Sequence, residues 1–170
     1  MCYVVIIRGP LASGKSTVSR KLCRLLDAEH ISIDKFLDEN NLTKDKEEGF
    51  ISQRSFKKAN DIIIPEIKKL LSQDRIVVID GNFYWKSQIK DTIKRLRNYR
   101  HFVFTLKVPV EVAIDRDKKR GRTHGEEAAR DVHKKSTEFA YGTEVDITQP
   151  LEKAITMIRS HLPKAQSLPH

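Results

Sequence analysis

Gly9-Pro10-Leu11-Ala12-Ser13-Gly14-Lys15-Ser16-Thr17 follows the spacing G-x-x-x-x-G-K-[ST] without a gap. The apolar run at 3–7 precedes it, and Val18, Leu22, Leu25 and Leu26 recur at helical spacing behind it. The local order is therefore strand, glycine loop, helix. Glycines let the main chain curl until consecutive amides face one anion, and the helix adds its positive end at the same place. Lys15 is then expected to reach the β and γ phosphates of a nucleotide, and the Ser16 hydroxyl to ligate the magnesium ion bridging them. All nine residues, Gly9, Pro10, Leu11, Ala12, Ser13, Gly14, Lys15, Ser16 and Thr17, form the expected cradle for ATP. GTP is disfavoured because the sequence has no Asn-Lys-x-Asp element and no D-x-x-G switch.

Outward from this loop, strands and helices alternate. Short stretches at 31–33, 76–79, 102–108 and 143–147 read as four more strands. Helical periodicity marks 16–27, 55–71, 86–96, a segment opened by Pro109, 126–139, and a last helix from Pro150 to Leu162. Pro65 falls inside the longest of these patterns, which predicts a kink or two shorter helices. The stretch 35–49 mixes Asp, Glu, Asn and Lys around Phe36, Leu37 and Leu42 and reads as a short helix with a mobile loop. Five strands alternating with helices give an α/β class with a parallel sheet. One domain over 1–162 and a frayed tail over 163–170 are expected.

Bulk composition narrows the setting. Hydrophobic residues make up 39% and charged residues 32% of the 170 positions, as in an ordinary soluble globule. Only Cys2 and Cys23 are present, without metal or redox spacing, so the expected compartment is the reducing cytoplasm and both thiols are expected to be inert packing groups. No run is long enough for a membrane span. The net charge of +9 calls for an anionic partner, and nucleotide phosphates, phosphorylated metabolites and a nucleic-acid backbone all qualify. A solvated lysine-rich surface explains the same number equally well.

Five features together resemble the small P-loop kinases, the group of shikimate, gluconate, adenylate and polynucleotide 5′-hydroxyl kinases with their zeta-toxin and chloramphenicol phosphotransferase relatives. They are the loop at 9–17, Asp34 after the second strand, Asp80 after the third, an arginine-rich segment at 116–122, and the closing strand and helix from Thr143. The resemblance implies a three-layer α/β sandwich whose five-stranded parallel sheet has the order 2-3-1-4-5, with a lid at about 115–135 that closes over ATP. It assigns Asp34 to the carboxylate that accepts or orients the proton of the attacking hydroxyl. The same residue also suits a helix N-cap. Asp80 matches an acid that holds magnesium directly or through water, or orients the acceptor; Asp-Gly is also a common turn pair. Arg116, Arg120 and Arg122 match lid arginines that balance charge on the transferred phosphoryl group, with Arg116 and Arg120 sharing a helix face. They also suit a solvated basic helix paired to Asp115 and Asp117. His124 and His133 read as surface residues. Phe83, Tyr84 and Trp85 read either as a wall of the acceptor pocket or as core.

Three functions fit this set. The first is a kinase for a small-molecule hydroxyl acceptor, as a monomer or homodimer. The second is a kinase for a nucleic-acid 5′ end, favoured by the lid segment 116–121 and by Lys86, Lys90, Lys94, Arg95, Arg97 and Arg100. The third is a non-catalytic nucleotide switch. Polynucleotide members of the group carry an arginine shortly after the catalytic Asp, where this chain has Phe36, Leu37 and Asp38, and a hydroxyl residue where Gly81 stands. The sequence therefore favours the small acceptor.

Overall fold

The computed structural model describes residues 2–121 and 125–163. In chain order the elements are β1 (Val4–Arg8), α1 (Lys15–Leu26), β2 (Glu29–Ser32), α2 (Ile33–Glu39), β3 (Lys46–Glu47), β4 (Phe50–Ile51) and α3 (Gln53–Ser72). They continue as β5 (Val77–Gly81), α4 (Lys86–Arg95), β6 (His101–Lys107), α5 (Val110–Lys119), α6 (Glu126–Thr137), β7 (Thr143–Asp146) and α7 (Leu151–His161). Five strands form one parallel sheet in the order β2-β5-β1-β6-β7. Leaving out the small β3–β4 hairpin, this is the expected order 2-3-1-4-5.

Alternation along the strands builds the layers. Val4 and Ile6 of β1, with Val77 and Ile79 of β5, join Phe56, Ala59, Ile63 and Ile67 of α3 and Ile89 of α4 in one core. Val5, Ile7 and Val78 point the other way and meet Val18 and Leu22 of α1, Ala113 of α5, and Ala154, Ile155 and Ile158 of α7 in a second core. A strand buried on both faces must be apolar throughout, which is why β1 and β5 read as continuous runs in the sequence. Truncating any fully buried isoleucine here to alanine costs about 2–5 kcal/mol.

Several elements depart from the sequence reading. The second strand lies at Glu29–Ser32, and Ile33 already begins α2, so Asp34 sits in the first turn of a helix and not at a strand end. Ser32, not Asp34, is the N-cap residue. The stretch after α2 holds the antiparallel β3–β4 hairpin, whose two-residue strands are too short to leave an alternation pattern. Pro65 lies within a single 20-residue α3 and does not divide it. The core face of α3 carries Phe56, Ala59, Ile63 and Ile67, while Pro65 and the Asp61 whose carbonyl it leaves unbonded are both exposed, so water can satisfy the freed oxygen. Ser52 starts this helix by accepting from the Ser55 amide at 3.0 Å. Arg122, His124 and the tail from 164 onward lie outside the described residues. No helix among the described residues is long and apolar enough to cross a membrane.

Candidate active site

The loop between β1 and α1 curls as its sequence requires. Gly14 has φ +87°, and Ala12 has φ +56°, a left-handed conformation that costs a residue with a Cβ. Strain of this kind concentrates where amides must converge on a ligand. The Ser13 amide donates to Pro10 O at 3.2 Å and closes the curl. Ser16 and Thr17 open α1 on its exposed side, and the Ser16 side chain has no hydrogen-bond partner among the described residues.

Lys15, only 8% exposed, points its ammonium at Pro10 O (2.8 Å) and Asn82 Oδ1 (2.9 Å). The Asn82 backbone amide in turn donates to Asp34 Oδ1 at 3.2 Å. One residue after β5 thus joins the phosphate-loop lysine to the α2 carboxylate, at the carboxyl ends of β1, β2 and β5. Burial pushes the Asp34 carboxyl above the ordinary carboxylate range, opposed by Lys15 and by the Asn82 amide, with Asp80 reinforcing the rise. Burial also pulls Lys15 below the usual lysine range, against the attraction of Asp34 and Asp80. Gly81 packs tightly here: a Cβ on it would lie 3.1 Å from Ile33 Cβ and 3.2 Å from the Phe83 ring. A hydroxyl side chain would crowd both neighbours.

Asp80 is buried on the α1 face of β5, and one of its oxygens lies 2.7 Å from His30 Nε2. Burial would raise this carboxyl, but the hydrogen bond and charge of His30, with help from Ser32, outweigh it and hold Asp80 below the ordinary range. Sequence reasoning missed this partner, because His30 lies fifty residues upstream. Among the described residues no group of three or more His, Cys, Asp or Glu side chains could hold a metal by itself. A phosphate-bridging magnesium needs only one or two protein ligands, and the unpartnered Ser16 hydroxyl fits that demand.

Arg116 and Arg120 line a cavity of about 180 Å³ with Ser13, Gly14, Thr17, Ile147 and Gln149, on the side of the loop away from Asp34. Arg116 donates to Ile147 O at 3.0 Å, whereas Arg120 is exposed at the end of α5, near enough to Lys15 to lower its pKa. Asp115 pairs with Lys119 and not with either arginine. A larger, mostly apolar cavity of about 530 Å³ is bounded by β6, α6 and β7 and meets the phosphate loop only at Pro10. It does not include Lys15, Asp34 or Asn82.

The aromatic triplet is core and latch rather than an open stacking platform. Phe83, Tyr84 and Trp85 are buried, the Tyr84 hydroxyl accepts from the Ile51 amide (3.0 Å), and the Trp85 indole donates to Ile51 O (2.7 Å). Lys135 of α6 lies 4.2 Å from the Trp85 ring centre and pairs with Glu48 at 3.0 Å, so α6 reaches across to the hairpin turn. His133 is part-buried, with Nε2 2.7 Å from Val108 O. Cys2 and Cys23 are free and half-buried, and burial pushes the Cys23 thiol up to about 11, which keeps it protonated. Of the basic series on α4, Arg95 is occupied by Asp61 and Asp91, while Lys86, Lys90 and Lys94 are exposed along one face without a carboxylate partner among the described residues. Sequence reasoning passed over Arg8, which is fully buried at the foot of the phosphate loop.

Comparison with known proteins agrees with the fold. No curated protein matches the sequence. A sugar kinase from a Janibacter species superimposes with a TM-score of 0.74 at 15% identity, covering 94% of each chain. Shikimate kinase from Acinetobacter baumannii, solved with shikimate, gives 0.62 at 20% identity over 94% of this chain and 90% of its own. A chain of the Pnkp1/Rnl/Hen1 RNA repair complex gives 0.63 at 19% identity over 82% of this chain and 47% of its own. A family model described as an AAA domain matches residues 4–141. The chain therefore belongs to this AAA-domain family and has the fold of the small P-loop kinases.

Proposed function

We propose that the protein transfers the γ-phosphate of ATP to a hydroxyl group of a small-molecule acceptor. The observation that carries this reading is the Lys15–Asn82–Asp34 chain, which puts a phosphate-seeking ammonium and a raised-pKa carboxylate on either side of one asparagine. A switch that only binds nucleotide needs the lysine but has no use for the carboxylate.

In the reaction Asp34 takes the proton of the acceptor hydroxyl, and an upward-shifted pKa suits a base working near neutrality. Lys15 exchanges its contacts with Pro10 and Asn82 for phosphate oxygens. Arg120, free to move at the end of α5, balances charge on the transferred group, and Arg116 holds the nucleotide against Ile147 and Gln149. Ser16 would hold a magnesium ion, and Asp80, with one oxygen committed to His30, would hold it through water; the ion would supply charge neutralisation for the phosphates. The glycine-curled loop from Gly9 to Thr17 supplies the amides for the phosphates.

Lys86, Lys90 and Lys94 support a second reading, in which the acceptor is a nucleic-acid 5′ end, because their row starts next to Trp85. One experiment separates the two: incubation with γ-labelled ATP and a panel of sugars, hydroxy acids, nucleosides and 5′-hydroxyl oligonucleotides. Label on a small hydroxyl compound supports the first reading, and label on oligonucleotides alone replaces it with the second. ATP bound without transfer to any of them refutes both.

A further inference from the structure

Arg8 is the largest fully buried side chain among the described residues and has no ion-pair partner there. Its guanidinium donates to Thr105 Oγ1 (3.2 Å), Phe139 O (3.2 Å), Phe83 O (3.3 Å) and Ser136 O (2.7 Å), and it stacks 4.2 Å from the centre of the Phe139 ring. Nε has no partner. A buried cation held only by neutral oxygens costs stability that a methionine in the same strand would not.

The four acceptors belong to three separate parts of the molecule. Phe83 is in the loop after β5, Ser136 and Phe139 are at the end of α6, and Thr105 is in β6, where its hydroxyl passes the contact on to Tyr141 O at 2.7 Å. Phe83 is a fully buried non-glycine residue at φ +46°, a conformation that needs its surroundings to hold it. The residue before it is Asn82, which touches both Lys15 and Asp34. A guanidinium can span these points because its donors fan out in one rigid plane, which an ammonium or an apolar chain cannot reproduce.

We infer that Arg8 is a positioning residue: it ties the strained loop after β5 to the end of α6, so that the Asn82 bridge and α6 are held in one arrangement. It touches neither nucleotide nor acceptor. The kinetic part of this inference rests on the phosphotransfer reading, while the structural part does not.

The test uses the full chain with Arg8→Met and Arg8→Lys, read by amide hydrogen exchange without nucleotide, by calorimetry with MgATP, and by label transfer to whichever acceptor the panel identifies. The methionine variant is expected to lose protection at least tenfold at 82–85 and 136–141, with α3 and α7 unchanged. ATP affinity should stay within threefold. KM for the acceptor should rise or kcat fall at least tenfold, with KM for ATP unmoved, and the lysine variant should recover part of both losses. Unchanged exchange at the two segments, or a uniform rise over the whole sheet, overturns the inference. Should the methionine variant not fold, the lysine variant alone decides between local and uniform loosening. If no acceptor is ever labelled, the exchange result still stands or falls by itself, and the phosphotransfer reading fails separately.

Discussion

Lys15 Nζ lies 2.9 Å from Asn82 Oδ1, so the phosphate-loop lysine is held by the loop that also bonds Asp34. Binding a nucleotide must break this contact. Replacing Asn82 with alanine removes a competitor for the ammonium but leaves the backbone amide that serves Asp34. ATP is expected to bind up to about fivefold tighter, corresponding to one net hydrogen bond of about 1 kcal/mol. Titration calorimetry of Asn82→Ala against the parent protein measures it, and weaker binding would contradict this account of Lys15.

Lys15→Met removes the buried ammonium itself. Label transfer should fall at least about a hundredfold, the range for deleting one charge-stabilising donor. The fold should survive, because Lys15 makes no direct ion pair and its two partners are neutral oxygens. A circular dichroism melt within a few degrees of the parent checks the second half of this expectation.

Asp34→Asn keeps the acceptor for the Asn82 amide and removes the base. Transfer should slow at least about a hundredfold with ATP binding retained. The parent protein supplies a pH test. Because the folded pKa is raised, Asp34 is protonated over a wider acidic range than a free carboxylate, so the acidic limb of kcat/KM should fall above the ordinary value of 3.8. The same sign applies to stability: the contribution of this group favours the fold below the unfolded pKa and is lost as pH rises through the folded one. A limb at or below 3.8, or an unchanged limb in the asparagine variant, removes Asp34 from the role of base.

Arg116 and Arg120 should separate kinetically. Arg116 is anchored to Ile147 O beside the cavity that Gln149 also lines, so Arg116→Ala should raise KM for ATP severalfold with a smaller effect on kcat. Arg120→Ala should lower kcat at least tenfold. Equal effects of both on KM alone would assign Arg120 to binding.

Gly142 carries φ +70°, and a Cβ there would run into the Val103 carbonyl. Gly142→Ala is expected to destabilise the protein by at least about 2 kcal/mol through strain and displacement of β7. Urea denaturation measures it.

The centre of the sheet was legible because β1 and β5 are buried on both faces and therefore appear as uninterrupted apolar runs, whereas the edge strand β2 is only partly buried and was placed two residues late; the phosphate loop was legible because its glycines and lysine are spaced by the ligand and not by the core. Asp34 was picked out by the family resemblance and by its place after the second strand. Its contact with Asn82 could not, since that depends on how the turn after β5 packs against α2. Pro65 misled in the direction of a break because sequence periodicity does not show that its missing donor falls on a wetted face. Arg8 and the His30–Asp80 pair stayed hidden for one reason: partners 128 and 50 residues away are set by sheet order, and a lone basic residue at a strand end has many ordinary explanations.

Both main-chain polar atoms of Ile51 are claimed by side chains, one by the Tyr84 hydroxyl and the other by the Trp85 indole. The hairpin beyond it hangs from two rings and is not woven into the sheet, and at its tip Gly49 has open space around it. The tip is tied down a second time, because Glu48 pairs with Lys135 and both Glu48 (φ +53°) and Gly49 (φ +83°) hold left-handed backbone, so a graft meant to give this flap a new preference should keep those two and vary the exposed Lys44 and Lys46.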